Sequence, residues 1–166
     1  NISDIASLKL EFNNDPQNSF VMNEKGPYSY EMKRLSDGSN VDIDTIRVLN
    51  LLTSFGDVRF EAFLTDITQQ RRDSIINSPY LERLSITTKD GKEDVITTYN
   101  MRIDASAFGF TENDWDDDPD HKYAYIKNND ELVMIQEFAF GKLLKPAEYY
   151  DKNYGAPKRT IYIEEM

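Results

Sequence analysis

Cysteine is absent from this 166-residue chain, which removes disulfides, thiolate metal sites and cysteine nucleophiles at once. Histidine occurs once, as His121, so only one side chain has an unperturbed pKa near neutrality. The seven glycines are scattered and build neither a dinucleotide fingerprint nor a phosphate loop. No G-x-S-x-G elbow accompanies the histidine. No apolar run approaches the roughly 20 residues that span a bilayer as a helix. Positive charge is also scarce: 19 Lys and Arg stand against 30 Asp and Glu, a net charge of −11. A field of that sign disfavours nucleic acid and anionic lipid as partners and favours solubility.

What the chain has instead is aromatic residues, ten Tyr and nine Phe with a single Trp. Aromatics suit strands better than helices, so a substantial sheet is expected. The length fits one domain, and a domain of this size buries roughly 70% of the surface its unfolded chain exposes. The clearest local signal runs from Asp42 to Leu64. Asp42 or Asp44 can cap a helix whose apolar face is Val48, Leu51, Leu52 and Phe55, and Gly56 supplies a left-handed stop. The period then changes from 3.6 to 2, with Val58, Phe60 and Ala62 alternating against Arg59, Glu61 and Phe63.

Alternation also marks Leu8, Leu10 and Phe12, then Phe20 and Met22, then Tyr28, Tyr30 and Met32. The turns Asn13 to Pro16 and Lys25 to Pro27 separate them, so the first 35 residues predict a three-stranded meander. Thr65 to Asn77 predicts a short helix capped by Asp66, which Pro79 prevents from continuing. Leu84 and Ile86 lead through the turn dipeptide Asp90-Gly91 into a return strand, Val95 to Ile103. Ala105 to Asp120 lacks periodicity and reads as the longest loop. A second hairpin joins Tyr123 to Ile126 with Leu132 to Ile135 through Asn128, Asn129 and Asp130. A short helix over Phe138 to Leu144, ending near Pro146, and a last strand over Thr160 to Ile163 complete the reading. The expected fold is a single α+β domain over residues 1–166. It is a mostly antiparallel sheet built from hairpins, with one main amphipathic helix and one or two short helices packed on it.

Three groups of side chains carry candidate chemistry. Glu112 to His121 holds six carboxylates with the only Trp and the only His. Its Asp114, Asp116 and Asp118 match the first, third and fifth positions of a calcium loop, since hard cations take oxygen ligands. The match stops there, because Pro119 occupies the sixth position in place of Gly and Tyr125 the twelfth in place of Glu. A solvated acidic loop explains the same run, and His121 as a structural histidine outweighs His121 as a general base. Tyr149, Tyr150 and Tyr154 with Lys152 and Lys158 form an aromatic and basic group, residue types enriched at interfaces. The competing reading is ordinary packing, an apolar body under a polar tip. Carboxylate pairs for glycoside hydrolysis carry no information here, because thirty acids offer too many pairs.

Several segments, in this order, resemble the domain-of-unknown-function 4340 family as found in envelope proteins of Bacteroidetes. Ile2 to Phe12 resembles that family's first strand, Val41 to Phe63 its acid-capped helix and following strand, and Leu81 to Tyr99 its hairpin around Lys89-Asp90-Gly91. The most specific segment is Pro119 to Tyr150, PDHKYAYIKNNDELVMIQEFAFGKLLKPAEYY, with its Tyr-containing hairpin, its Ile-Gln plus aromatic stretch and its Leu-x-Pro-x-x-Tyr ending. The resemblance implies an extracytoplasmic, membrane-anchored domain in the envelope or periplasm, in transporter-like or gliding-type assemblies, and it assigns no catalytic residue. The chain begins at Asn1 rather than Met, and the expectation is that an N-terminal anchor lies upstream, the only membrane attachment foreseen.

The function expected is therefore that of a non-enzymatic protein-interaction or structural module with a protein partner in the envelope. Tyr149, Tyr150 and Tyr154 are the interface candidates, and no cofactor is expected. The alternative is a calcium-binding or hydrolytic domain using the acidic loop 112–121, with Asp114, Asp116 and Asp118 as metal candidates. Oligomeric state does not follow from the sequence.

Overall fold

The structure is a computed structural model that describes residues 4–55, 62–64, 66–102 and 117–156. Its strands are β1 (Ile5–Phe12), β2 (Phe20–Gly26), β3 (Ser29–Arg34), β4 (Ala62–Phe63), β5 (Glu82–Thr88), β6 (Glu93–Arg102), β7 (Asp117–Ile126) and β8 (Glu131–Gln136). They form one sheet in the order β3-β2-β1-β5-β6-β7-β8-β4, with antiparallel pairing throughout. The helices are α1 (Thr45–Ser54), α2 (Gln69–Ile76) and α3 (Glu137–Phe140). Short 3-10 turns occur at Pro16–Asn18, Gly141–Leu143 and Ala147–Tyr150. The architecture is the expected α+β fold, and the opening meander is β1-β2-β3.

Strand alternation divides the sheet into two faces of different character. On the first, Leu8, Leu10, Phe20, Met22, Met32, Leu84, Ala124, Val133 and Ile135 meet Val48, Leu51 and Leu52 of α1 and the segment Phe140 to Tyr150 in one buried core. On the second, a smaller cluster joins Ile75 of α2 to Tyr99 and Leu132, with Tyr80, Tyr123 and Tyr125 packed at its margin. α2 covers the part of this second face that lies over β6, β7 and β8. The strip over β1 and β5, carrying Lys9, Glu11, Arg83 and Ser85, lies outside that cluster.

Asp44 caps α1, accepting from the backbone N–H groups of Ile46 at 3.0 Å and Arg47 at 3.3 Å. Val48, Leu51 and Leu52 then repeat at i, i+3 and i+4, so burial of one face fixes the helix on the sheet. Asp44→Ala removes the oxygen that accepts both bonds and should lower stability by about 1 kcal/mol in urea unfolding, while Asp42→Ala should leave it within about 0.5 kcal/mol. Gly56 and the alternating stretch through Glu61 lie outside the described residues, as does Thr160 to Ile163.

Three expectations are corrected. The cap of α2 is Thr68, whose hydroxyl accepts from the Arg71 N–H at 3.1 Å, and the helix begins three residues after Asp66. Tyr28 stands in the β2–β3 turn at φ 58°, not in the third strand. Asp117 to Asp120 opens β7, where Asp117 pairs with Arg102, so the end of the acidic run is strand rather than loop. Pattern alone missed it because Asp117, Asp118, Pro119 and Asp120 all have low strand propensity, and the pairing of Asp117 with Arg102 of β6 overrides that preference.

Candidate functional site

The open strip of the second face forms a groove of about 480 Å³ beside α2. Sheet register builds it from residues far apart in the chain. Lys9 of β1 faces Ser85 of β5, which faces Val95 of β6, and the Val95 carbonyl accepts from the Lys127 N–H at 3.0 Å. The next row along the strands is Glu11, Arg83, Thr97 and Tyr125. Both rows line the groove, and Tyr99 and Ile76 close its α2 side.

Arg83 sits centrally. Glu11 lies directly across from it, yet no ion pair joins the two, and the guanidinium instead lies 4.2 Å from the centre of the Tyr80 ring. Such stacking orders the planar fork and leaves its N–H edge to donate. Lys9 and Lys127 likewise make no ion pair among the described residues. The wall behind Arg83 is firm: the Tyr99 hydroxyl donates to the Ile76 carbonyl at 3.0 Å, and burial raises its pKa, with Arg83 acting in the opposite direction. On the far side, Arg72 donates to the Asp130 carboxylate at 2.5 Å and the Tyr125 hydroxyl donates to it at 2.6 Å, so α2 is tied to the β7–β8 hairpin. Those bonds hold the Asp130 carboxyl below the usual range, Tyr125 first and Arg72 second. Three cations, two carboxylates (Glu11 and Glu93) and four hydroxyl side chains thus line one open cleft, an excess of positive charge in a chain of net charge −11.

The residues singled out by sequence fall elsewhere. Tyr150 is fully buried between Phe20 and Tyr149, with ring centroids 5.5 and 5.1 Å away. As an interface candidate it is therefore corrected to a core residue, because no partner can touch it. Tyr149 is half-buried, and Tyr154 remains 46% exposed. Arg47 of α1 lies 5.2 Å from the Tyr149 ring and 5.3 Å from the Tyr154 ring, and donates to the carbonyls of Tyr149 at 2.9 Å and Asp151 at 3.3 Å. The tyrosines thus latch the C-terminal segment onto α1. Lys152 pairs with Asp42 at 3.4 Å, and Lys158 lies outside the described residues.

Of the metal candidates, Asp114 and Asp116 lie outside the described residues, as does Trp115. The Asp118 carboxylate is engaged within its own strand, accepting from the Asp120 N–H at 2.8 Å and facing His121 Nδ1 at 3.0 Å. Burial would raise the Asp118 pKa, but these bonds outweigh it and the carboxyl is held low. No cluster of three or more ligating side chains occurs among the described residues.

A second polar group, on the core face, went unread in the sequence. The Lys122 ammonium lies 3.0 Å from Glu82 and 2.8 Å from Glu137, and Thr98 donates to Glu82 from the adjacent strand. It is a salt-bridged triad at the rim of the core. The groove has one signal in sequence, the polar residues that alternate with Leu8, Leu10 and Leu84. The pairing of β1 with β5, some 70 residues apart, is not encoded locally.

Compared with family models, curated proteins and solved structures, the chain matches none at a significant level.

Proposed function

We propose that the protein is a non-enzymatic interaction module of a cell-envelope assembly, holding a protein partner against the open face of its sheet. One observation carries this reading. Lys9, Arg83 and Lys127 line one groove and make no ion pair among the described residues, so the groove carries more positive than negative side chains even with Glu11 and Glu93 in its lining, although acids outnumber bases in the chain. Cations left unpaired in a cleft focus the local field toward an incoming negative group. The groove offers donors, cations and aromatic faces, which is the chemistry of recognition. The envelope setting and the extracytoplasmic side rest on the resemblance of Pro119 to Tyr150 and the segments before it. The groove replaces the tyrosine group as the binding surface, since Tyr150 is core and Tyr149 is engaged by Arg47.

The test is affinity capture of the full-length protein from cross-linked native membranes, comparing the natural chain with the variant carrying Lys9→Glu and Arg83→Glu. Envelope subunits recovered with the natural chain and depleted at least fivefold with the variant, at equal melting temperature, would support the reading. Equal recovery with both would move the interface off this face, and recovery of nothing would favour a structural spacer.

A further inference from the structure

The groove also defines what kind of segment it takes, an inference that rests on the reading of the open face as the binding surface. We infer that its occupant is an extended acidic stretch of a partner protein, with carboxylates on alternate residues, seated on Lys9 and Arg83 and reaching toward Lys127.

The spacing comes from the sheet. Lys9 pairs with Ser85, and Arg83 stands two residues further along β5, so the Lys9 and Arg83 Cα atoms are about 8 Å apart from strand spacing and rise. Alternate residues of an extended chain are about 7 Å apart and point the same way. Two carboxylates at i and i+2 therefore match the two cations. Arg83 is suited to the central contact, because its guanidinium lies over the Tyr80 ring at 4.2 Å from the ring centre and carries a fork that a carboxylate meets with two parallel hydrogen bonds.

The carboxylates in the groove define the charge density it admits. Glu11 lies two residues from Lys9 on the same face of β1, and Glu93 two residues from Val95 on the same face of β6. Negative groups thus interleave with the positive ones. A densely charged polyanion would set charge against Glu11 and Glu93 as well as against the cations, whereas an extended segment with carboxylates only at i and i+2 sets them against Lys9 and Arg83 and turns its intervening side chains away from the groove. Ser85 and Thr97 add hydroxyl donors beside the two cations. The groove is an open cleft rather than a closed pocket, as an extended chain entering and leaving it requires.

The test titrates fluorescently labelled Glu-Thr-Glu-Thr-Glu, its all-Gln counterpart Gln-Thr-Gln-Thr-Gln and inorganic phosphate into the 166-residue chain. Binding is followed by anisotropy and by backbone amide shifts. The acidic peptide should bind at least tenfold more tightly than the Gln peptide and perturb amides around Lys9, Arg83 and Thr97. Arg83→Gln should weaken it at least fivefold without changing the melting temperature, and Lys9→Gln should weaken it two- to fivefold. Equal binding of the two peptides, or an unchanged affinity in Arg83→Gln, would overturn the inference. Phosphate displacing the peptide while giving the same amide shifts alone would replace it with a simple anion site. Capture from membranes uses no peptide, so loss of this inference leaves the binding-module reading to be judged by that experiment.

Discussion

Tyr150→Ala will unfold with about 3 to 5 kcal/mol less stability than the natural chain, whereas Tyr150→Phe will match or exceed it. The first expectation follows from complete burial: the ring sits edge-on between Phe20 and Tyr149, and its removal leaves a cavity beneath α1 that close-packed neighbours refill only in part. The backbone at this residue also matters, since the Tyr150 carbonyl accepts from the Asp44 N–H at 2.7 Å, next to the cap of α1. The second expectation follows from the hydroxyl. It is buried and makes no hydrogen bond among the described residues, and burial beside Tyr149 drives its pKa upward. An unsatisfied buried polar group costs about 1 to 3 kcal/mol, so deleting the oxygen while keeping the ring removes a penalty. Urea unfolding of the two variants checks both. A loss above about 1 kcal/mol in Tyr150→Phe would show that the hydroxyl has a partner after all. A mild effect of Tyr150→Ala would return this tyrosine to the list of surface candidates.

Lys122→Met should cost about 3 kcal/mol, because it leaves Glu82 facing the core without its counter-charge. Burial pushes the Lys122 ammonium toward neutrality, but Glu137 and Glu82 more than offset it, and the pKa stands above its ordinary value. A raised lysine pKa stabilises the fold fully below the unfolded value of about 10.4 and loses that contribution as pH rises through the folded value. The natural chain should therefore lose stability on its alkaline limb more steeply than Lys122→Met. Adding Glu82→Gln to Lys122→Met should recover much of the loss, since the more buried of the two orphaned carboxylates is then neutral and Glu137 stays in contact with solvent. Equal alkaline slopes, or a double variant no better than the single one, would show that the triad contributes packing rather than charge.

The parts of the fold readable in sequence are those written by local chemistry. Asp44 with Val48, Leu51 and Leu52 specifies a capped, one-faced helix. Gly91, at φ 87°, specifies the β5–β6 turn, and Asp130, at φ 50°, the β7–β8 turn. The alternation of Leu8, Leu10, Phe20 and Met22 specifies which way each strand faces. Partners distant in sequence were not readable. Nothing near Lys9 announces Ser85, and nothing near Lys122 announces Glu82, because both juxtapositions come from β5 inserting between β1 and β6. The tyrosine group misled for a related reason. Three tyrosines within six residues resemble a surface cluster, but the 3-10 turn Ala147–Tyr150 sends Tyr150 inward and leaves Tyr149 beside Arg47.

The groove as the working surface of this domain is best tested by placing a photo-activatable amino acid at Ser85, half-buried between Lys9 and Val95, in the full-length protein within native membranes. A discrete cross-linked product with an envelope protein, abolished by Arg83→Glu and absent when the probe is moved to exposed Gln17 near the far end of β1, is the expected result. Absence of any product at Ser85, or a product indifferent to Arg83, would contradict it.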